Sequence, residues 1–559
     1  MSGVTSNRAW GQMLIDGLCQ LGADRFFLSP GARSAPLAAA LRGRNVTTHY
    51  DERGMAFAAL GWAMATGRPA VCVTTSGSAV ANLLPACVEA FHSNVPLIFL
   101  TADRPPELRG TGANQTIHQP GLFGGFVRYA VDLPCAQDAE AVSRLAHELS
   151  KAVATAMDSQ PGPVHLNVPI REPLLESVGA PLDGRMEFSI PSALSALDWP
   201  VDFDFQNFAS GRGVVVIGRL PVGEQGRVDA IFDLAKNLGW PVLADAASGA
   251  RLRAGIIRHA DWILQRHDVP PPQRVLHFGG ALVSKRIGKW LSACRGKDCV
   301  QVRLFPEQLD PWEQHPVFIR AGIQEFCASV KPFALPTAAD TWMESWRRAD
   351  LGVGATIEAE LPADDVVGEP SILRALADIA AETNSPLFLG NSMPIRDFDS
   401  SADAVSSGWV NVFSNRGASG IDGNIATVAG LSLGSASPLL AVMGDLAALH
   451  DLNSLPLLQG LPVTLLIINN GGGGIFRFLP IDVEERLLET PHAWEFRGAA
   501  QQFGIEYHQV ASLSELRSLL SRPSAAPRIL ECRTDRSENH ALHLRITEAC
   551  RALPLSWAD

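Results

Sequence analysis

Short apolar runs closed by glycine, proline or a small polar residue alternate with longer Ala- and Leu-rich stretches along most of the chain. Arg25-Phe26-Phe27-Leu28 predicts a strand ending in Ser29-Pro30-Gly31. Val46 to Tyr50 predicts a second, which runs into Asp51-Glu52-Arg53-Gly54 and an Ala/Met/Leu-rich helix. Ala70 to Thr75 and Pro96 to Thr101 follow as strands, separated by Ser76-Gly77-Ser78-Ala79 and a helix to about His92. Gly162 to Pro169 holds the last strand of this unit. Strands alternating with helices in this way point to a parallel sheet covered by helices.

The alternation returns twice. Gly213 to Gly218, Pro241-Val242-Leu243 and Val275 to Phe278 define a middle segment. Leu387-Phe388-Leu389, Leu439 to Met443, Val463 to Ile468 and Arg528 to Glu531 define a final one. A Pro/Ser/Asp-rich connector from about Ala180 to Ser210 and a looser one from Leu335 to Gly368 separate the three. The expected organisation is three parallel-sheet α/β domains over residues 1–180, 190–340 and 360–559. Gly218 alone is no dinucleotide fingerprint, because the spaced glycines are absent. Ligands in such sheets sit beyond the carboxyl ends of the strands, and the unusual residues of this chain cluster there.

Composition narrows the class. A chain of 559 residues exceeds one core, and 47% hydrophobic with 19% charged residues describes a packed globular protein. A formal net charge of −12 argues against a nucleic-acid partner but leaves room for local cationic pockets. No apolar run is long enough to cross a bilayer, and no charged leader precedes an apolar stretch at the start, so a cytoplasmic protein without a membrane partner is expected. Nine dispersed cysteines without a C-x-x-C pair read as reduced thiols.

The strongest chemical signal is Gly444-Asp445 at the end of one apolar strand, followed by an amphipathic helix and a second strand ending in Asn469-Asn470-Gly471-Gly472-Gly473-Gly474. A hard divalent cation takes oxygen ligands and shares phosphate oxygens. Asp445 offers a carboxylate, Asn470 an amide oxygen and Gly472 a backbone carbonyl. The helix after Asp445 would turn its free N–H groups toward phosphates, and the glycines allow a close approach. Each half alone also reads as a helix cap or an Asn-Gly turn; together, one strand-helix-strand unit apart, they favour a metal–diphosphate site. The pair resembles the thiamine-diphosphate motif, with Leu446 where that motif usually has glycine.

Thiamine catalysis in that family uses a carboxyl group hydrogen-bonded to the aminopyrimidine, and Glu52 stands in the matching place. A buried carboxyl with a raised pKa would suit the task; a helix-start acid stabilised by the macrodipole is the competing structural reading. Thr74-Thr75-Ser76-Gly77-Ser78-Ala79 resembles the pyrimidine-side pattern. The resemblance implies pyrimidine-binding, central and diphosphate-binding domains, with the two cofactor sites supplied by different subunits of a homodimer or homotetramer. Ile421, in Ser419-Gly420-Ile421-Asp422-Gly423, is the candidate apolar support under the bent cofactor.

A narrower resemblance rests on six further blocks in order: Ser29-Pro30-Gly31-Ala32-Arg33-Ser34-Ala35-Pro36-Leu37, Thr101 to Leu108, Ala113-Asn114-Gln115, Gly390 to Arg396, Asn415 to Gly423, and Gly444-Asp445-Leu446. They resemble the 2-succinyl-5-enolpyruvyl-6-hydroxy-3-cyclohexene-1-carboxylate synthase family, in which Gly-Asp-Leu is typical; Ala32 departs from a common serine. The resemblance implies thiamine diphosphate with Mg2+ (or Mn2+), 2-oxoglutarate and isochorismate as substrates, and a place in menaquinone or phylloquinone biosynthesis. Another thiamine-dependent 2-oxo acid decarboxylase, or an acetolactate-synthase-like ligase, is the alternative. Both substrates are dicarboxylates, which suits the planar fork of arginine. On the resemblance, Arg33, Arg104, Gln115, Asn391, Arg396 and Arg416 are substrate-binding candidates, joined by Lys285 and Arg286 from the middle segment and by Leu479. Ser392, Ile475 and Phe476 are assigned to the cofactor with Gly444, Asp445, Leu446, Asn470 and Ile421. Phe478 fits a hydrophobic support under the loop equally well.

Overall fold

The computed structural model describes residues 5–175, 199, 203–307, 309–331, 340–362, 366–406, 408, 410–522 and 524–557. Much of the first predicted connector and part of the second lie outside the described residues.

Three sheets form, each parallel throughout. The first joins β1 (Arg25–Ser29), β2 (Asn45–Thr48), β3 (Ala70–Thr74), β4 (Leu97–Asp103), β5 (Tyr129–Asp132) and β6 (Val164–Pro169) in the order β2-β1-β3-β4-β6-β5. The second joins β7 (Gly213–Ile217), β8 (Val242–Ala244), β9 (Arg274–Phe278), β10 (Cys299–Arg303) and β11 (Val317–Arg320) as β11-β10-β9-β7-β8. The third joins β12 (Leu387–Leu389), β13 (Val412–Phe413), β14 (Leu439–Gly444), β15 (Val463–Asn469), β16 (Glu506–Val510) and β17 (Arg528–Arg533) as β13-β12-β14-β15-β17-β16. Counted from its own first strand, the third sheet repeats the order of the first.

The central strands are buried on both faces, as their unbroken apolar runs require. Register brings their carboxyl ends level: Ser29 lies opposite Thr74, and Thr74 opposite Thr101. In the third sheet Leu389 lies opposite Val442, and Gly444 opposite Ile468.

The chain divides into two compact units. One holds Met1–Leu194 with Asn415–Ala436 and Leu449–Leu461, and so contains the first sheet. The other holds Ser195–Ser414, Ser437–Ala448 and Pro462–Asp559, with the second and third sheets. Within the first unit, helix Glu52–Thr66 meets helix Asn424–Gly434 backbone to backbone. A Cβ on Gly61 would stand 2.1 Å from the Thr427 carbonyl oxygen, and one on Gly430 1.9 Å from that of Ala58, so both crossing points require glycine. Segment 415–436 follows the third sheet's first two strands in the chain yet belongs to the unit of the first sheet, where its helix packs on helix Glu52–Thr66, an exchange that strand and helix periodicity does not register.

Among the described residues no helix is long and apolar enough to cross a membrane. The cysteines are unpaired, and all but Cys19 and Cys327 are buried.

Candidate active site

In the third sheet, three neighbouring strands carry the predicted metal and cofactor residues at their carboxyl ends: Asn391 and Ser392 after β12, Asp445 after β14, and Asn470 after β15. Gly444 faces open space where a side chain would project. Asp445 begins helix Asp445–His450 and is buried. Its Oδ1 accepts from the Leu446 amide at 2.6 Å and its Oδ2 from the Gly472 amide at 3.0 Å. Burial raises the Asp445 carboxyl above the ordinary range, against the pull of these N–H groups and of His492. His492 Nε2 lies 3.3 Å from Oδ2. Its Nδ1 accepts from the Trp494 amide at 3.2 Å. The predicted single amphipathic helix after Asp445 is instead six residues long and continues as a 3-10 helix, Leu452–Leu458, that contains Pro456.

The glycine loop is tied down from behind. Arg536 Nη1 donates to the carbonyls of Asn470 at 3.1 Å and Gly471 at 3.0 Å. Gly472 has φ 149°, and a Cβ there would fall 2.5 Å from the Glu489 carbonyl oxygen. Ile475 and Phe476 follow in the 3-10 helix Gly474–Phe478 and are half-buried, while Leu479 is 43% exposed. Phe478 packs edge-on against His540 and His543, which places it as support beneath the loop.

The donor set fits a hard divalent cation. Asn470 Oδ1 is buried without a hydrogen-bond partner, as expected of an oxygen that faces a metal. The Asn470 Nδ2 donates to Glu369 Oε1 at 2.9 Å. Burial and the facing Asp397 push the Glu369 carboxyl up to about 7. Burial pulls the nearby His543 imidazole down, but Asp397, at 3.0 Å, outweighs it and leaves it raised.

In the first unit, Glu52 opens helix Glu52–Thr66 behind the N-cap Asp51, whose Oδ1 accepts from the Arg53 and Gly54 amides. The capping acid is therefore Asp51, and Glu52 is an acid of the first turn that makes no cap. Its carboxyl is half-buried rather than buried, and Asn82 Nδ2 donates to Oε2 at 3.2 Å.

Arg33 and Arg104 are brought together. Both are buried, and burial followed by the field of Arg33 depresses the Arg104 guanidinium. Arg104 donates to Ser76 Oγ at 2.7 Å and to the Asn114 carbonyl at 2.8 Å. Arg33 donates to the Ile170 carbonyl at 3.0 Å and pairs with the exposed Glu172 at 3.1 Å. Gln115, with φ 54°, donates to the Ser76 carbonyl at 3.0 Å. Among the described residues no carboxylate lies within ion-pair distance of Arg104.

Elsewhere in the same unit, Arg416 precedes a loop clamped by Glu89, whose two carboxylate oxygens accept from the amides of Gly417 and Ala418 at 2.7 Å each. Ile421 is 36% exposed and so is not a core residue of this unit. In the second unit, Ser392 has φ 74° and caps helix Met393–Ser401, and its carbonyl accepts from Arg396. Lys285 and Arg286 start helix Lys285–Leu291 after β9, and the charge of Arg286 is felt at His543. Arg286 is paired with Asp261, so its charge is already engaged, and Lys285 is exposed.

Sequence reasoning missed Asn82, Glu369, His492 and Arg536. Ser76 and Asn114 stood inside quoted blocks, but Glu369 opens a helix after a loose connector and belongs to no motif.

Comparison with known proteins gives the class and the family. The N-terminal TPP binding domain of thiamine pyrophosphate enzymes matches residues 8–122, and the middle domain of thiamine pyrophosphate enzymes matches residues 190–389. The protein is thus a thiamine-diphosphate-dependent enzyme. The chain is 41% identical to a 2-succinyl-5-enolpyruvyl-6-hydroxy-3-cyclohexene-1-carboxylate synthase of Rubrobacter xylanophilus, over 96% of this chain and 97% of the relative. Synthases of the same name from Salinibacter ruber (36% identical, 96% and 95% covered) and Geobacillus thermodenitrificans (37%, 95% and 94%) also match. The chain belongs to the 2-succinyl-5-enolpyruvyl-6-hydroxy-3-cyclohexene-1-carboxylate synthase family.

Proposed function

We propose that this enzyme decarboxylates 2-oxoglutarate and transfers the remaining four-carbon unit to isochorismate, forming 2-succinyl-5-enolpyruvyl-6-hydroxy-3-cyclohexene-1-carboxylate and carbon dioxide on the route to menaquinone or phylloquinone. Thiamine diphosphate, when bound, supplies the electron sink for decarboxylation and carbon–carbon bond formation. Asp445, Asn470 and the Gly472 carbonyl would hold Mg2+ or Mn2+ with the diphosphate, and Ser392, Ile475 and Phe476 would line the cofactor. Glu52 would hold a proton at the aminopyrimidine ring nitrogen. Ile421 would support the bent cofactor, and Leu479 would exclude water from the reacting carbon.

The observation that carries the choice of substrates is the Arg33–Arg104 pair. Two buried guanidiniums repel each other and lose hydration, a cost that a bound carboxylate offsets. Arg104 is held by a hydroxyl and a carbonyl, so its charge stays available. Gln115, Asn391, Arg396 and Arg416 would add contacts, with Lys285 approaching from the middle segment. Residues 1–180 and 360–559 would serve the pyrimidine and diphosphate ends of the cofactor from different protomers of a cytoplasmic homodimer or homotetramer.

The test is a coupling assay with protein, Mg2+, thiamine diphosphate and 2-oxoglutarate, with and without isochorismate. The expected result is consumption of both substrates in equal amounts with formation of the coupled product. Succinic semialdehyde as the sole product, with isochorismate untouched, would show a simple decarboxylase instead.

A further inference from the structure

Asn469 and Asn470 are adjacent in the chain, yet the structure treats their amides oppositely. Asn469 is fully used: Nδ2 donates to Glu531 Oε1 at 2.6 Å and to the Trp494 carbonyl at 2.9 Å, and Oδ1 accepts from the Gly471 amide at 3.2 Å. Glu531 is itself buried and held by the Phe496 amide at 3.0 Å and the Tyr507 hydroxyl at 2.8 Å. Asn470 is used at one end only. Its Nδ2 donates to Glu369 Oε1 at 2.9 Å, while its buried Oδ1 has no partner.

Glu369 is 1% exposed at the first position of helix Glu369–Thr383. Its Oε1 also accepts from the Thr534 hydroxyl at 3.1 Å. Oε1 thus accepts from both the Thr534 hydroxyl and the Asn470 NH2, and with its NH2 turned to Glu369 the amide points its oxygen away. The amide is also closely packed. A Cβ on Gly474 would stand 2.9 Å from Asn470 Nδ2, so glycine is needed beside the amide. Glu369 in turn lies in the field of Asp397 on helix Met393–Ser401 and of His543 on helix Arg536–Ala552.

We propose that Glu369 is a positioning residue of the metal site: by holding the Asn470 NH2 it aims the amide oxygen at the divalent cation that grips the diphosphate. This rests on the reading of Asp445 and Asn470 as cation ligands. Groups hydrogen-bonded behind metal ligands commonly govern metal affinity about 10- to 100-fold.

Manganese binding in the presence of thiamine diphosphate, followed by the loss of the free-ion electron paramagnetic resonance signal, tests it without reference to turnover. Glu369→Leu should weaken Mn2+ binding by at least about tenfold and raise the Mg2+ concentration needed for half-maximal activity, with kcat at saturating Mg2+ largely kept. Glu369→Gln, whose amide oxygen can accept the same two hydrogen bonds, should restore Mn2+ affinity to within about threefold. Asn470→Ala separates the two readings. Undiminished Mn2+ binding there would reject Asn470 as a ligand and the proposal with it. Loss in Asn470→Ala together with wild-type binding in Glu369→Leu would overturn the role of Glu369 alone. Should Glu369→Leu fail to fold, Thr534→Val, which removes the second donor to Oε1, must still weaken Mn2+ binding by a few fold; unchanged binding would likewise overturn it.

Discussion

The first and third sheets share one strand order but collect opposite chemistry at equivalent places. Beyond β1, β3 and β4 stand Arg33, Ser76 and Arg104, a cationic cluster whose donors are held by two carbonyls, a hydroxyl and one exposed carboxylate. Beyond β12, β14 and β15 stand Asn391, Asp445 and Asn470, a cluster of oxygen acceptors, one of them buried and unpaired. In both, these residues stand at and beside the point where the strand order reverses, where ligands of such sheets are expected. Topology sets where a ligand would sit, and the side chains after each strand would decide whether it is a carboxylate or, on the reading proposed above, a cation with its phosphates.

Glu52→Gln would break this division most severely. If proton handling belongs to the first unit and cation binding to the third sheet, turnover should fall by about 10³-fold. Mn2+ and cofactor affinity should stay within about threefold of wild type. Near-normal turnover would remove Glu52 from the mechanism; a loss of Mn2+ binding in steady-state titration would show that the two sites are not chemically separate.

The next effect concerns stability. Asp451, in the first unit, is fully buried; it accepts from the Ala426 amide at 2.9 Å and the Ser454 hydroxyl at 2.8 Å. Burial pushes its carboxyl from 3.8 to about 6. The folded state therefore binds more protons than the unfolded one between these values, so stability is lost as pH rises through the window. Asp451→Asn abolishes the titration. The stability of the variant relative to wild type should rise by on the order of 2 to 3 kcal/mol between about pH 4 and pH 7.5. Denaturant unfolding at both ends of the window checks this, and a constant difference would refute it.

Arg104→Ala comes third. Loss of charge-assisted contacts to a substrate carboxylate costs about 1.5–3 kcal/mol, which predicts a roughly 10- to 100-fold fall in kcat/KM for one or both substrates. Cofactor affinity, measured by fluorescence quenching, should not change. An effect confined to the cofactor would move Arg104 out of the substrate pocket and blur the contrast between the sheets.

How much of this was legible beforehand follows from burial. Central strands such as β3 and β15 are continuous apolar runs and were read directly. The unread β5, β11, β13 and β16 are all edge strands, short or alternating, and β10 is interrupted by Gln301 and Arg303. The blocks around Arg33, Arg104, Asp445 and Asn470 could be found because site residues sit beside glycine and proline at strand ends. Glu369 and His492 could not: each acts through a single long-range contact, Glu369 on Asn470 and His492 on Asp445, and no local pattern marks such a partner. The packing of segment 415–436 on helix Glu52–Thr66 was hidden for the same reason, since Gly61 and Gly430 matter only once their helices meet.

The smallest expected effect tests whether the middle sheet takes part in the contrast at all. Lys285 occupies the first turn of helix Lys285–Leu291, where Ser284 Oγ caps the chain by accepting from the Ile287 amide at 3.1 Å. A cation at a helix N-terminus is disfavoured by about 0.3–1 kcal/mol, so its placement is a cost to the helix. Arg286, beside it, is drawn off by Asp261. Lys285→Ala should therefore leave the unfolding temperature unchanged or raise it slightly, by an amount equivalent to roughly 0.5 kcal/mol. The informative readout is the KM for each substrate at two ionic strengths. A rise of about threefold that vanishes at high salt would mark Lys285 as a screened, long-range contributor to carboxylate capture. No change at either salt would confine substrate charge recognition to the arginines.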